Sequence, residues 1–379
     1  TLPKNNNFSD NITVGTKLNI FSNLTVDLSW NTNWDERRTE IISLTPGGEF
    51  GSTISASGNI SSSVWAFGKG YRDLFERQLQ TAFDDLNGTS TISDETGNGD
   101  GRIVLNRNTL EEDFRRAYLG GNTGAIGEKS YTPIPKPNWR ITWTGVEEYI
   151  PFLGNLMSRA TLSHGYSGSY RLGWSLNAIT GEQPGQGIGA FNVIDVKRDF
   201  EPTSINVEQR FSPLIQLNVT WLSNLRTQIS FDRSKTNSLA LSSRTVTERL
   251  SQGLTTSINY TFRGITIPFL PRIQNNIDVT INGGFADDKE QKFYLNQDIE
   301  QALSVINPDP NVDQYDFTDP FITGQNRINA SLVLGYRFSQ TVTSNFEYTF
   351  TKVEPKSSAF PPRTNHDIRF NFRIAIQSR

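Results

Sequence analysis

Cysteine is absent from this chain of 379 residues, and histidine occurs only twice. These absences exclude most zinc and thiolate chemistry. A chain without thiols cannot misoxidise in a periplasm or outside a cell, although a cytosolic protein can also lack cysteine. The net charge of −3 provides no basic field for nucleic acid, and no G-x-S-x-G, H-E-x-x-H or P-loop motif occurs. The sequence therefore predicts a protein that is not an enzyme and has no resident cofactor and no nucleic-acid partner.

Long hydrophobic runs are also missing. No stretch approaches about 18 consecutive apolar residues, which excludes a transmembrane helix. With 35% hydrophobic residues and a mean hydropathy of −0.46, the averages resemble those of a soluble protein. A strand in a membrane barrel, however, needs apolar residues on its lipid face only. The period with which apolar residues recur along the chain is therefore more informative than the mean hydropathy.

Several long segments show a two-residue alternation of apolar and polar side chains, most clearly 248–262, 328–338, 342–350 and 367–376, with Val333 as an exception in the second. A period of two is that of a β-strand and cannot arise from a helix. Several runs reach roughly 13–17 residues, whereas strands of globular proteins peak near 5–6. A tilted membrane strand needs about 9–11 residues and often continues beyond the bilayer. The pattern predicts an antiparallel transmembrane β-barrel, integral to a bacterial outer membrane.

The alternation assigns side chains to two faces. Residues predicted to face lipid are Leu254, Ile258, Tyr260, Leu332, Leu334, Phe346, Phe370 and Phe372. Residues predicted to line a pore are Arg249, Asn259, Asn329, Arg337, Asn345, Glu347, Asp367, Arg369 and Arg373. The charged members of the second set could form a cross-strand ladder that stiffens the wall or tunes what passes through it.

Two further runs, 160–176 and 205–221, behave in the same way. The second keeps its face across Pro213, which predicts one long strand with a bulge or bend. Earlier strands are predicted at 13–21, 23–34, 49–67 and 139–145. The whole chain then supplies about twelve strands.

Connections of two lengths separate these strands. Bacterial barrels have short periplasmic turns and long outer loops. Counting back from a periplasmic C-terminus makes the long connections 178–202, 287–325 and 353–365 extracellular, and 146–157, 222–224, 263–272 and 339–340 periplasmic. The same count makes the tight turn at 21–23 extracellular, which is unusual and suggests a missed strand around 38–45. Aromatic residues near turns, as in an interfacial girdle, are Trp143, Trp221, Phe262, Phe338 and Phe350.

Segment 68–138 lacks the alternation and divides the chain into strands at 1–67, a helical insertion at 68–138 and strands at 139–379. Residues 71–86 place Leu74, Phe75, Leu79, Phe83 and Leu86 on one helical face. A second helix is predicted at 109–119, opened by a capping-box spacing from Thr109 to Glu112. The insertion could form an external cap or fold into the lumen.

Several positions carry residue types that could support chemistry. Asn98 and Asp100 resemble half of a calcium loop, but Thr96 and Arg107 replace the carboxylates that such a loop needs at its first and twelfth positions. An ordinary polar turn is therefore expected at these residues. His164 falls on the apolar face, where a packing or interfacial role is expected, and His366 is expected at the barrel rim. The acidic positions Asp287-Asp288 and 309–319 are predicted to be solvated loop.

Several short motifs, in order, resemble the C-terminal part of the SprA (Sov) family, which forms the outer-membrane translocon of type IX secretion and serves gliding motility. They are Pro137-Asn138-Trp139-Arg140, Gly145, Pro151-Phe152, Ser163-His164-Gly165-Tyr166-Ser167, Phe211-Ser212-Pro213-Leu214-Ile215 and Asn365-His366-Asp367-Ile368-Arg369-Phe370. The resemblance covers most of the chain and is weakest in residues 1–68 and in the helical insertion.

This resemblance implies a very large barrel with a wide protein-conducting pore and a lateral opening. It also implies several partners: secreted cargo proteins, a PorV-like partner barrel, a periplasmic plug protein and outer-membrane lipid. Members of the family are several times longer than this chain, so about twelve strands would form only part of the wall. The chain begins at Thr1 without a methionine or a signal-peptide pattern, which predicts a removed signal or a fragment of a longer protein.

Three alternatives stay open at the sequence level. A stand-alone porin or receptor-type barrel for small solutes would fold alone with its first and last strands paired. An outer-membrane enzyme would need His164 or His366 in a Ser/His or Asp/His constellation. A secreted β-sandwich or β-solenoid used for adhesion would alternate similarly but would not partition into membranes.

Overall fold

A computed structural model of the protein describes residues 2–44, 50–87, 107–120, 136–149, 154–177, 201–266, 274–299, 321–338, 342–357 and 359–374. These residues form a single antiparallel sheet of twelve strands with a small helical insertion. The fold is therefore all-β and barrel-like, as the alternation predicted. Among the described residues, no helix is both long and apolar enough to cross a membrane.

The strands are longer than the sequence pattern indicated. The longest, β8, has 22 residues. The bounds are β1 Leu2–Phe21, β2 Leu24–Leu44, β3 Phe50–Ser63, β4 Asn138–Thr144, β5 Met157–Asn177, β6 Glu201–Trp221, β7 Arg226–Ala240, β8 Thr245–Thr266, β9 Gln274–Tyr294, β10 Phe321–Arg337, β11 Val342–Pro355 and β12 Arg363–Ile374. The helices are α1 Tyr71–Asn87 and α2 Arg107–Leu119, with a 3-10 turn at Val146–Tyr149 and a helical turn over 295–299.

Several expected loops are shorter than predicted because the strands continue into them. β9 and β10 extend into 287–325, so Asp287 and Asp288 lie in β9 rather than in a solvated loop. The acidic stretch 309–319 lies outside the described residues. The alternation of apolar and polar residues does not reveal these extensions, because both faces of the sheet are polar at the strand ends.

The sheet is a simple meander except at one position. Antiparallel pairing joins each strand to the next, but β3 and β4 both pair with β2 and with β5. Residues 24–29 of β2 face β4, and residues 32–44 face β3. β3 and β4 are thus two collinear halves of one strand, and the insertion leaves the sheet between them.

This split strand corrects the expected position of the turn at 21–23. Thr144 N donates to Asn23 O at 2.8 Å, and Leu222 N donates to Leu156 O at 3.2 Å, so the turns after β1, β4 and β6 share one end of the sheet. We call it the lower end. The prediction that this turn lies opposite the other short turns is wrong, because β3 and β4 occupy one strand position and not two. The described residues 38–44 continue β2 and do not form a separate strand.

β6 runs as one strand through Pro213, as predicted. Its register with β5 and β7 shifts between Phe211 and Ile215, which is the expected bulge. β3, in contrast, ends at Ser63 rather than at residue 67. Val64 N turns away from β2 and donates to Gly168 O at 3.0 Å.

The main core lies between the insertion and the upper half of one sheet face. Tyr170, Leu172 and Val207 from β5 and β6 are fully buried there, and Leu74 and Phe114 contribute from α1 and α2. Of the predicted helical stripe, Leu74, Phe75 and Leu79 pack in or against this core. A smaller cluster of Met157, Ala160 and Val219 lies near the lower end.

Candidate functional site

Strand register brings the predicted lipid-facing residues together on one surface, which we call the apolar face. Directly paired residues of neighbouring antiparallel strands point to the same side of a sheet. Two adjacent rows across β8 to β12 illustrate this: Tyr260, Val279, Leu334, Phe346 and Phe370, then Ile258, Ile281, Leu332, Tyr348 and Ile368. Leu254 and Phe372 belong to parallel rows on the same face.

Many apolar side chains of this face are exposed, including Ile281 at 45% and Phe370 at 66%. In β8 to β10 these rows form a band of constant height, whereas in β11 its lowest and highest rows carry Ser344 and Lys352. The band covers 254–262 in β8, 277–285 in β9 and 328–336 in β10, nine residues in each strand. A tilted strand crosses the hydrocarbon layer of a membrane in about 9–11 residues. The nine residues per strand therefore fall within the range of a membrane-spanning strand.

Above the band, the same face becomes polar. The next row across β8 to β11 is Gln252, Asp287, Asn326 and Glu354. Lys356 forms an ion pair with Asp287, and Gln252 Nε2 donates to the same carboxylate at 3.1 Å. The upper limit of the band is therefore abrupt.

Aromatic rings border the band at both limits. Near the lower end, Tyr336 meets Phe338 edge to face at 4.6 Å between centroids, and Trp143 contacts Tyr149 at 5.2 Å. At the upper limit, Trp139 stacks on Tyr166 at 4.3 Å. The expected placement of Phe350 near a turn is wrong: it pairs with Ala330 and His366, and β11 continues beyond it to Pro355.

The opposite surface, which we call the polar face, carries the predicted pore-lining residues. The register places Arg249, Asn259, Asn329, Arg337, Asn345, Glu347, Asp367, Arg369 and Arg373 on this face. Short polar side chains form hydrogen bonds with one another there. Thr280 Oγ1 donates to Asn259 Oδ1 at 2.8 Å, and Asn282 Nδ2 donates to Ser331 Oγ at 3.1 Å.

The charged residues predicted for the polar face do not form one ladder: among the described residues they take part in two separate ion pairs, and neither pair includes Arg337 or Arg373. Arg369 lies 2.6 Å from Asp367 and directly opposite Glu347 in the register. Arg249 lies higher and pairs with Glu290, which the sequence reasoning missed. No alternation in the sequence reveals Glu290, because residues 287–292 are all polar and both faces of the strand therefore look alike.

The insertion docks onto the upper part of the apolar face and makes no contribution to the polar face among the described residues. Glu248 of β8 is the main anchor, since its Oε1 accepts from Tyr71 N at 3.0 Å and from Tyr118 Oη at 2.8 Å. Tyr170 Oη donates to Glu111 Oε1 at 2.6 Å, and Tyr71 stacks on Phe293 at 3.9 Å. Of the two placements left open by the sequence, the structure shows docking on the surface opposite the predicted lumen.

Buried carboxyl groups accumulate where the insertion docks. Burial raises the pKa of Glu111, partly offset by Arg115 and by the hydrogen bond from Tyr170. Burial also raises the pKa of Asp113, against a hydrogen bond from Gln78, and that of Asp298, against one from Tyr71. The docked insertion thus favours the neutral form of these groups.

Among the described residues, the contacts of the two histidines are with a backbone carbonyl, a tyrosine hydroxyl and aromatic rings. His164 Nδ1 lies 2.7 Å from Leu214 O, and its ring lies between Trp139 and Phe211. His366 Nδ1 lies 2.9 Å from Tyr348 Oη. Within the described part of the chain, no group of three or more acidic or histidine side chains could hold a metal ion. The half calcium loop with Asn98 and Asp100 lies outside the described residues.

Comparison with protein-family models finds no match, and comparison with curated proteins finds none either.

Proposed function

We propose that this chain forms an arc of the wall of a bacterial outer-membrane β-barrel that conducts secreted proteins. The observation that carries the membrane assignment is the exposed apolar band. A contiguous apolar surface of this size is unfavourable in water and marks contact with lipid or a partner. Its height, its aromatic borders and its strand-borne alternation all fit lipid contact.

The polar face supports a wetted passage on the other side of the wall. Asn259, Asn282 and Thr280 carry amide and hydroxyl groups whose hydrogen bonds are made within the wall. Such groups keep the surface wetted without binding a passing chain tightly. Such a passage needs no catalytic residue. The sheet itself satisfies the backbone groups inside the wall by strand pairing.

The proposal of a larger barrel draws on the two outer edges of the sheet. Among the described residues, β1 pairs only with β2 and β12 only with β11. Unpaired backbone groups at these edges cost several kcal/mol each in hydrocarbon, on the order of the penalty for any unsatisfied buried polar group. Further strands next to β1 and β12 would satisfy them. Because lumen diameter grows with strand number, they would also provide room for protein cargo.

The more specific parts of the proposal come from the resemblance to the SprA family. It implies type IX secretion and gliding motility, with a PorV-like barrel and a periplasmic plug protein as partners. A stand-alone porin is the competing hypothesis, and it requires β1 and β12 to pair with each other.

The absence of cysteine permits a direct test of the two faces. Ile258→Cys and Asn259→Cys differ by one residue and lie on opposite faces. In the native membrane particle, we expect a hydrophilic maleimide to label Asn259→Cys and to spare Ile258→Cys. Equal labelling of both positions would contradict a lipid-facing band.

A second measurement tests the size of the channel. The native particle should have a mass well above 42.6 kDa, the mass of this chain. Paired cysteines in β1 and β12 should not form a disulfide in it. A particle of single-chain mass, crosslinked between β1 and β12 and passing only small solutes, would establish the porin instead.

A further inference from the structure

Residues 64–70, which we call the strap, cross the apolar face from the end of β3 to β8. Val64 N donates to Gly168 O at 3.0 Å, and Ala66 N donates to Tyr166 Oη at 2.9 Å. On the upper side, Gly68 N donates to Tyr118 O at 3.0 Å. The strap is thus held to β5 on one side and to the end of α2 on the other.

Alternate side chains of the strap point in opposite directions. Val64 and Ala66 are buried at 1% and 7%. Trp65 is 40% exposed, Phe67 is 53% exposed, and Lys69 is also exposed. The outward surface of this short segment is therefore two large rings followed by a cation.

The strap lies at the upper limit of the apolar band. Trp65 meets Trp139 edge to face at 6.2 Å between centroids, and Phe67 stacks on Tyr166 at 5.2 Å. The next apolar-face position of β4 below Trp139 is Ile141, which belongs to the band. The exposed rings of the strap therefore continue the apolar band without a gap.

We propose that the strap is a lipid anchor, which places Trp65 and Phe67 at the headgroup level of the adjoining leaflet and Lys69 against lipid phosphate. This inference rests on the proposed membrane function. Amphipathic and aromatic rings favour the membrane–water boundary. A lysine just beyond them reaches anionic headgroups while its alkyl stem stays on apolar surface. The insertion, and not only the strands, would then fix the depth of the wall in the bilayer.

A depth measurement on single-cysteine variants tests the anchor. Phe67→Cys would carry a fluorophore in the reconstituted native particle, with lipids bearing nitroxide either at the headgroup or deep in the acyl chain as quenchers. We expect stronger quenching by the headgroup nitroxide at this position. Lys69→Cys provides a second reporter if the loss of the Phe67 ring disturbs folding.

Two controls separate this inference from the membrane assignment. A fluorophore at Ile258→Cys, in the middle of the band, should be quenched most by the deep nitroxide. One at Asn259→Cys should be quenched by neither. Quenching at 258 without quenching at 67 or 69 would overturn the anchor and leave the membrane assignment standing. Absence of quenching at all these positions would overturn both.

The charge of Lys69 gives a separate readout. A lysine near an anionic surface contributes a preference of about fivefold for anionic lipid. With the reporter at Phe67→Cys, quenching by an anionic nitroxide lipid should exceed that by a zwitterionic one, and Lys69→Gln should reduce the ratio about fivefold. An unchanged quenching ratio in Lys69→Gln would show that Lys69 does not contact lipid phosphate.

Discussion

Asn138 and Ser63 lie side by side at the interruption of one strand of the sheet, where Asn138 Nδ2 donates a hydrogen bond to Ser63 Oγ at 3.3 Å. They are 75 residues apart in the sequence. Asn138 Oδ1 also accepts from Gly168 N at 2.8 Å, and Ser63 Oγ accepts from Asn31 N at 3.0 Å. These side chains replace the ladder hydrogen bonds that an uninterrupted strand would make with β2 and β5.

Asn138→Ala should therefore weaken the split strand. The substitution leaves the partly buried Gly168 N–H without its acceptor and removes the bond to Ser63. We expect a loss of about 2 kcal/mol in the free energy of unfolding, together with faster hydrogen exchange at the Gly168 amide. Asn138→Asp is the matched control, since it keeps the acceptor and should retain most of the protection. Full protection of the Gly168 amide in Asn138→Ala would show that the bond is not needed.

Gly168→Ala should displace the strap. A Cβ atom at Gly168 would lie 2.1 Å from Val64 O, so the strap backbone must move. We expect a cost of about 1–3 kcal/mol, in the range of overpacked interiors, with increased exchange in the strap. Gly15→Ala is the control, because its Cβ would meet its nearest neighbour, Leu28 O, at 3.6 Å. Similar stability of the two variants would argue against the close approach of strap and β5.

Leu332→Arg should impair insertion of the wall into the membrane. Leu332 lies in the middle row of the apolar band, where an arginine costs about 2–4 kcal/mol in a membrane barrel. Val333→Arg, one residue further on, enters the polar face opposite Glu347 and should be tolerated. Folding yield and stability in lipid vesicles would distinguish the two. A greater loss with Val333→Arg would reverse the assignment of the faces.

Docking of the insertion should strengthen as the pH falls. Glu111 has a raised pKa in the folded protein, chiefly because it is buried. A carboxyl group whose folded pKa exceeds its unfolded value binds its proton more tightly when folded. The contribution of Glu111 to the stability of the docked insertion therefore declines as the pH rises from the ordinary carboxyl pKa, roughly 4, to the raised pKa. Above the raised pKa the contribution stays constant.

Hydrogen exchange in α2, corrected for intrinsic rates, provides the measurement. Protection of α2 should be greater near about pH 5 than near about pH 8. Glu111→Gln keeps an acceptor for Tyr170 Oη and should reduce the difference, with Asp113 and Asp298 supplying the remainder. Greater protection at the higher pH would show that the charged forms hold the insertion in place.

The two faces of the sheet could be predicted from the sequence because strand alternation is local. Ile258 and Asn259 lie on opposite faces for any partner strand, since successive side chains of a strand point in opposite directions. The apolar stripes of the insertion likewise predicted both helices, although α2 begins at Arg107, two residues before Thr109 of the predicted capping box. The same locality explains the error at the end of β3: Val64 and Ala66 continue the alternation in the strap, so the pattern does not reveal where the chain leaves the sheet.

The sequence by itself determined an all-β chain with one apolar and one polar surface, because a two-residue period acts through backbone geometry alone. The tertiary structure decided what that period cannot encode. It showed that β3 and β4 share one strand position, because pairing with β2 joins segments far apart in the chain. It showed that Glu248 anchors the insertion on the apolar face, and that β1 and β12 lie at opposite edges of the sheet. These are long-range contacts, in which the partner of a residue depends on how the whole sheet is assembled.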